Sequence, residues 1–116
     1  MSKPKNHLNQ VILSGNLIKE VDLRFTPRGK AIAETCVASQ KTWKDPEGNE
    51  HEETDLVNIT FWGKRAEMAA AVLRKGGFVD VEGRLKFEKW NDKSGEKRSA
   101  LKVEVIHVRY PTELNP

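Results

Sequence analysis

Three strand-like stretches, one helix-like stretch and two more strand-like stretches, in that order, predict an all-β barrel of five strands with one helix. Two observations carry this. Apolar and polar residues alternate with period two over residues 11–18, 31–40, 55–62, 78–85 and 101–108. Residues 64–75 (KRAEMAAAVLRK) break that rhythm, with helix formers throughout and Ala66, Ala69, Ala70 and Leu73 at helical spacing.

The elements follow in order. Residues 1–7 are polar and basic, a flexible lead ahead of a domain spanning residues 8–110. Val11, Leu13, Gly15 and Leu17 alternate against Ile12, Ser14, Asn16 and Ile18, and a glycine inside a strand predicts a bulge or a sharp bend. Residues 22–26 (DLRFT) continue this strand briefly, and Pro27-Arg28-Gly29 turns the chain. The second strand puts Ala33, Thr35 and Val37 on one face and Ile32, Glu34, Cys36 and Ala38 on the other, side chains small enough for a crowded sheet.

Residues 41–55 (KTWKDPEGNEHEETD) read as a long hairpin loop, turning at Asp45–Asn49. The third strand then places Val57, Ile59 and Phe61 on a core face and Leu56, Asn58, Thr60 and Trp62 on the other. After it the helix runs to Lys75, with Arg74 and Lys75 complementing its dipole and Gly76-Gly77 ending it. In the fourth strand Val79, Val81, Gly83 and Leu85 point inward. Residues 86–99 (KFEKWNDKSGEKRS) form a second basic hairpin, and Leu101, Val103 and Val105 mark the last strand. This element order is the layout of an OB-fold, a five-stranded Greek-key barrel whose face and protruding loops bind oligonucleotides. Residues 111–116 make a short end.

Composition narrows the function. One domain of 116 residues with a net charge of +3 and 32% charged side chains favours polyanions mildly. Residues 47–55 (EGNEHEETD) hold no Lys or Arg, so the rest of the chain is more basic than the total. Cys36, the only cysteine, reads as a small core residue, and no internal disulfide can form. The longest apolar run, residues 68–73, is too short to span a membrane, and residues 1–10 hold no signal region, so the chain reads as cytoplasmic. His7, His51 and His107 are scattered, and no nucleophile–base, zinc or phosphate-loop pattern occurs; no enzyme, metal or cofactor is expected. His51, among Glu50, Glu52 and Glu53, reads as part of a solvated acidic turn.

The three tryptophans carry the functional signal. Trp43 lies beside Lys41 and Lys44, Trp62 beside Lys64 and Arg65, and Trp90 beside Lys89 and Lys93. A base stacks on such a ring whatever its sequence, and neighbouring lysines neutralise phosphates. Packing beneath a loop or at an oligomer contact stays open for each ring.

Residues 9–39, 43–45 (WKD) and 61–95 resemble the bacterial-type single-stranded DNA-binding proteins (SSB), most specifically in VILSGNL and LRKGGFVDVEGRL. The resemblance implies an OB-fold that coats single-stranded DNA without reading its sequence, in replication, repair and recombination, associated with the nucleoid. It implies a homo-oligomer, a tetramer ahead of a dimer. By position, Trp43, Trp62 and Trp90 fall where the family stacks bases, and Lys44, Lys64, Lys75, Lys86, Lys89 and Arg24 fall at basic positions near the strand path. Three departures stand out. Leu56 replaces an aromatic platform, Val57 and Asp80 replace larger residues at subunit contacts, and the family's acidic, Phe-terminated tail is not in residues 111–116, so no enzyme docking through that end is expected. A primosomal-type OB-fold adaptor, acting through protein contacts in replication restart, is the rival reading.

Overall fold

Phe61, Ile59, Val37, Val79 and Val103 are almost wholly buried at the centre of a core that a ring of strands encloses. The structure, a computed structural model, describes residues 6–110; the expectations for residues 1–5 and 111–116 lie outside it. The strands are β1 (Val11–Leu17), β2 (Asp22–Phe25), β3 (Ala31–Lys44), β4 (Glu50–Trp62), β5 (Phe78–Asn91) and β6 (Lys97–Arg109), with helix α1 (Lys64–Val72) between β4 and β5. They lie in the order β1-β5-β6-β4-β3-β2, and a further β1–β3 pairing closes the barrel. β4 and β6 are parallel, while the other pairs are antiparallel.

Because β1 hands over from β5 to β3 at Asn16–Leu17, and β2 continues along β3, the two act as one stave and the barrel has five. Gly15 sits at that handover. A Cβ there would collide with the backbone of Ala38, so the bend needs glycine. The bulge lies elsewhere, between Glu82 and Gly83 on β5, and Gly83 is pressed against the backbone of Glu104 in the same way. Full burial of Phe61, Leu17 or Ile59 contributes about 1.5–3 kcal/mol each, so the alternation seen in the sequence is the main force setting register.

Three expectations are corrected. First, α1 stops at Val72, not Lys75. Leu73 turns to an extended conformation (φ −80°, ψ 142°) and is 2% exposed, so the chain leaves the helix to bury it. The Arg74 guanidinium then donates to the carbonyls of Leu73 (2.9 Å) and Ala70 (3.3 Å), capping the end from outside the last turn. Second, residues 41–55 are not a loop: β3 and β4 stay paired from Ile32↔Trp62 to Lys44↔Glu50. β5 and β6 likewise pair out to Asn91↔Lys97, so two β-ribbons project from the barrel. The radius of gyration, 17.1 Å, exceeds the roughly 13 Å of a compact chain this size for that reason. Third, Leu85 and Leu101 are exposed, because the ribbon carries them past the rim of the core. Thr60 does lie on the face of Asn58 and Trp62, as expected, but is covered there and only 1% exposed.

One device ends both ribbons. The Asp45 carboxylate accepts from the backbone N–H of Glu47 (3.0 Å) and Asn49 (2.8 Å), and Gly48 adopts φ 87°. Asp92 accepts from the N–H of Ser94 (2.9 Å) and Glu96 (2.9 Å), and Gly95 adopts φ 86°. Among the described residues no helix is long and apolar enough to cross a membrane.

Candidate nucleic-acid interface

Register decides which tryptophans share a surface. Ile59 and Val103 are in register across the parallel β4–β6 boundary and both point inward, so Thr60 and Trp62 on β4 and Lys102 and Glu104 on β6 belong to the opposite, outer face. On the β5–β6 ribbon, Trp90 opposite Arg98 and Glu88 opposite Ala100 alternate onto that same face as Lys102. Trp62 and Trp90 therefore share the outer face of one continuous sheet. Trp43, opposite His51 near the tip of the β3–β4 ribbon, alternates onto the reverse face.

Each ring has distinct neighbours. Trp62 is partly exposed and faces Ile32 across the ladder. The cation over its ring is Lys30, with Nζ 5.1 Å from the centroid, rather than its chain neighbours Lys64 or Arg65. Lys30 is positioned by its turn: its N–H donates to the Thr26 hydroxyl (3.1 Å) and its carbonyl accepts from the Thr26 N–H (2.8 Å). Trp90 is 48% exposed, beside a shallow hollow of about 420 Å³ lined by Lys89, Asn91, Lys97, Arg98 and Ser99. The Lys89 ammonium lies 5.7 Å from the ring of exposed Phe87, an aromatic side chain the sequence reading passed over. Trp43 is 42% exposed, stacks on His51 at 5.3 Å with 20° between planes, and has Lys41 Nζ 5.7 Å from its centroid.

The cations divide into two groups. Lys44, Lys64, Lys75, Lys86 and Lys89 are exposed and enter no ion pair among the described residues. Lys86 stands opposite Lys102, Lys64 opens α1, and Lys75 lies where its backbone N–H meets Glu20 (3.3 Å). Arg24 is different: it pairs with Asp22 (3.5 Å) and with Glu34. Glu34 also reaches Lys102 (3.7 Å), which Glu88 binds at 2.9 Å. This chain of charges borders a hollow of about 250 Å³ that Trp90, Asn58 and Thr60 also line. Neither Lys30 nor Lys102 could be found by spacing, because each meets its partners only through register across strands.

Leu56 lies on the Trp62 face and is 64% exposed, so the position where the resembling family carries an aromatic is here broad and aliphatic. Among the described residues no cluster of three or more His, Cys, Asp or Glu could hold a metal ion. The surface offers ring faces and free ammonium groups together, which suits a flexible polyanion bearing aromatic bases.

A closed five-stranded barrel with a parallel contact between β4 and β6 and a capping helix between β4 and β5 is an OB-fold, a class of oligonucleotide- and oligosaccharide-binding barrels. Within that class, the chain belongs to the single-strand binding protein family, whose model matches residues 8–110. It is 44% identical over 91 residues to the single-stranded DNA-binding protein of Helicobacter hepaticus, covering 78% of this chain and 54% of that one. Against the protein of the same name from Wolinella succinogenes it is 42% identical over 95 residues, covering 82% and 59%. A crystal structure of a deletion mutant of the single-stranded DNA binding protein from Thermus aquaticus superposes with a TM-score of 0.77 at 38% identity, covering 90% of this chain and 50% of that one. The chain thus spans little more than half the length of the curated relatives it matches.

Proposed function

We propose that this chain binds single-stranded DNA without reading its sequence, coating and protecting it during replication, repair and recombination. The observation that carries the reading is the common outer face of Trp62 and Trp90, each beside cations, on a barrel of this family. Bases stack on the two rings, at about 1–3 kcal/mol each, while Lys30, Lys64, Lys86 and Lys89 meet phosphates. Trp43 and Lys44 extend the path, with the strand passing over the β3–β4 ribbon to its reverse face. Arg24, already held by two carboxylates, contributes less than the free lysines. Lys75, behind α1, serves a strand that wraps round the barrel.

The working unit is a homo-oligomer, a tetramer ahead of a dimer, located in the cytoplasm with the nucleoid. Ile12 (73% exposed) and Phe25 (60%) leave apolar surface on the barrel that association would bury. The decisive experiment is titration of intrinsic fluorescence with oligo-dT at low salt. Strong quenching supports the reading, and tryptophan emission indifferent to oligo-dT overturns it. Light scattering in the same buffer gives the assembly, and a monomer at micromolar concentration removes the oligomer from the proposal.

A further inference from the structure

His51 is the one histidine engaged by an aromatic ring and a carboxylate at once among the described residues, and the functional reading above leaves it without a task. Its ring stacks on Trp43 at 5.3 Å and 20°, and its Nε2 lies 2.9 Å from Asp45 Oδ2. An ionised carboxylate only accepts, so Nε2 carries the proton. Asp45 is in turn fixed by the N–H groups of Glu47 and Asn49 and by the Asn49 side-chain amide (3.2 Å). The turn therefore orients the carboxylate, the carboxylate orients the imidazole, and the imidazole backs one face of Trp43. With that face occupied, stacking is left to the opposite face, and the Lys41 ammonium also lies over the ring, 5.7 Å from its centroid.

We propose that His51 is a positioning residue for base stacking at Trp43, and that its protonation strengthens single-strand binding. The proposal rests on the single-strand reading of this surface. A bound base completes a three-layer stack of base, indole and imidazole, with the indole held in place before the DNA arrives. Protonation of the imidazole adds a second cation over the indole besides that of Lys41, turns the bond to Asp45 into an ion pair, and brings one more positive charge to the phosphate path. Affinity then rises as the imidazole gains its proton. The charged groups facing His51 are few. Asp45 lies beside it, Lys41 and Glu53 stand in register on the same ribbon face without an ion pair between them, and Glu50, Glu52 and Lys44 alternate to the other. None of these carboxylates or lysines ordinarily changes charge between pH 5.5 and 8.

The test uses the full chain, a labelled oligo-dT and binding measured by anisotropy at pH 5.5 and pH 8. Wild type is expected to bind about threefold to fivefold more tightly at the lower pH, the size of one cation–ring contact at an exposed site. His51→Phe keeps a flat ring but loses the proton and the Asp45 bond, so its pH response is expected to shrink to what His7 and His107 leave. His51→Ala loses the backing as well and is expected to bind about fivefold more weakly at pH 8, with phenylalanine recovering most of that loss. A second readout needs no DNA. In the W62F/W90F background Trp43 is the only tryptophan, and its emission is expected to differ between pH 8 and pH 5.5 and to stop doing so with H51F. Identical pH profiles for wild type and H51F, or alanine binding like wild type, overturn the proposal. If Trp43 emission titrates with His51 but oligo-dT is not bound at all, the functional reading fails and the stack stands as structure alone.

Discussion

Lys102 and Glu88 meet diagonally across the β5–β6 ribbon, Nζ to Oε1 2.9 Å, with the lysine side chain only 9% exposed. A cation so nearly buried is tolerated because carboxylates surround it; it is not evidence that the pair stabilises the fold. Glu88→Gln leaves Lys102 with Glu34, which Arg24 already shares. We expect a loss of about 1–2 kcal/mol in urea unfolding, moderated by the exposure of Glu88. Lys102→Met, which removes the charge that needed compensation, should cost under about 1 kcal/mol. Equal losses in both variants would show the ion pair itself to be stabilising.

Gly83 and Gly15 should be the least replaceable glycines. A methyl group at either runs into main chain, the carbonyl of Glu104 or of Ala38, which moves only if the barrel moves. Alanine at Gly83 is expected to cost about 2–3 kcal/mol, as overpacking does. Alanine at Gly48, where nothing lies within 4 Å but φ is 87°, should cost about 1–2 kcal/mol through backbone strain alone. Thermal melts of the two variants test the order, which is the prediction.

Much of this was legible in the alternation. Leu17, Val37, Phe61, Val79, Val81, Val103 and Val105 are buried as period two requires, and the helix lies where the period changes. The ribbons were not legible as strands. A ribbon outside the barrel has no core to face, so KTWK and EHEETD show no apolar rhythm and look like loop. The same absence hid Leu85 and Leu101, which continue the rhythm of a core that has already ended. The tryptophans could be found as rings among charges, but Lys30 over Trp62 and His51 under Trp43 depend on cross-strand register.

The ribbon tips should loosen in acid. Asp45 is held below the usual carboxylate range, first by the His51 hydrogen bond and then by the Asn49 N–H. Asp92 is held down first by the Ser94 hydroxyl and then by Arg98. A carboxylate whose folded value is depressed supports the fold above its unfolded value, about 3.8, and that support is lost as pH falls below it through the folded value. Protection of the Glu47, Asn49, Ser94 and Glu96 amides should hold at pH 5 and decline toward pH 3. In Asp92→Asn the second tip should lose most of that pH dependence. Amide exchange read by NMR would show it, and unchanged protection at pH 3 would rule out the carboxylates as the organising groups.

Removing the rings should separate the two faces of the proposed interface. Trp62→Ala and Trp90→Ala are each expected to weaken oligo-dT binding by about 1–3 kcal/mol while leaving the barrel folded. Trp43→Ala should matter mainly for oligonucleotides long enough to pass over the ribbon. The log–log salt slope should approach about −0.7 per phosphate contacted and should flatten when Lys86 and Lys89 are replaced by Gln. Full affinity with a lowered melting temperature in the Trp62 and Trp90 variants would make those rings structural.

The ladder of the β5–β6 ribbon also limits how its reach can change. Every position from Arg84 to Asn91 has an opposite number from Glu104 to Lys97, and faces alternate strictly along it. Losing one residue from each strand would rotate Trp90 onto the side now held by Phe87 and Leu101, whereas losing two from each would shorten the arm by about 7 Å and keep the ring facing outward. Arm length is thus adjustable only in even steps. Homologues that differ by an odd number of residues per strand would have to recover the ring's direction with a compensating bulge.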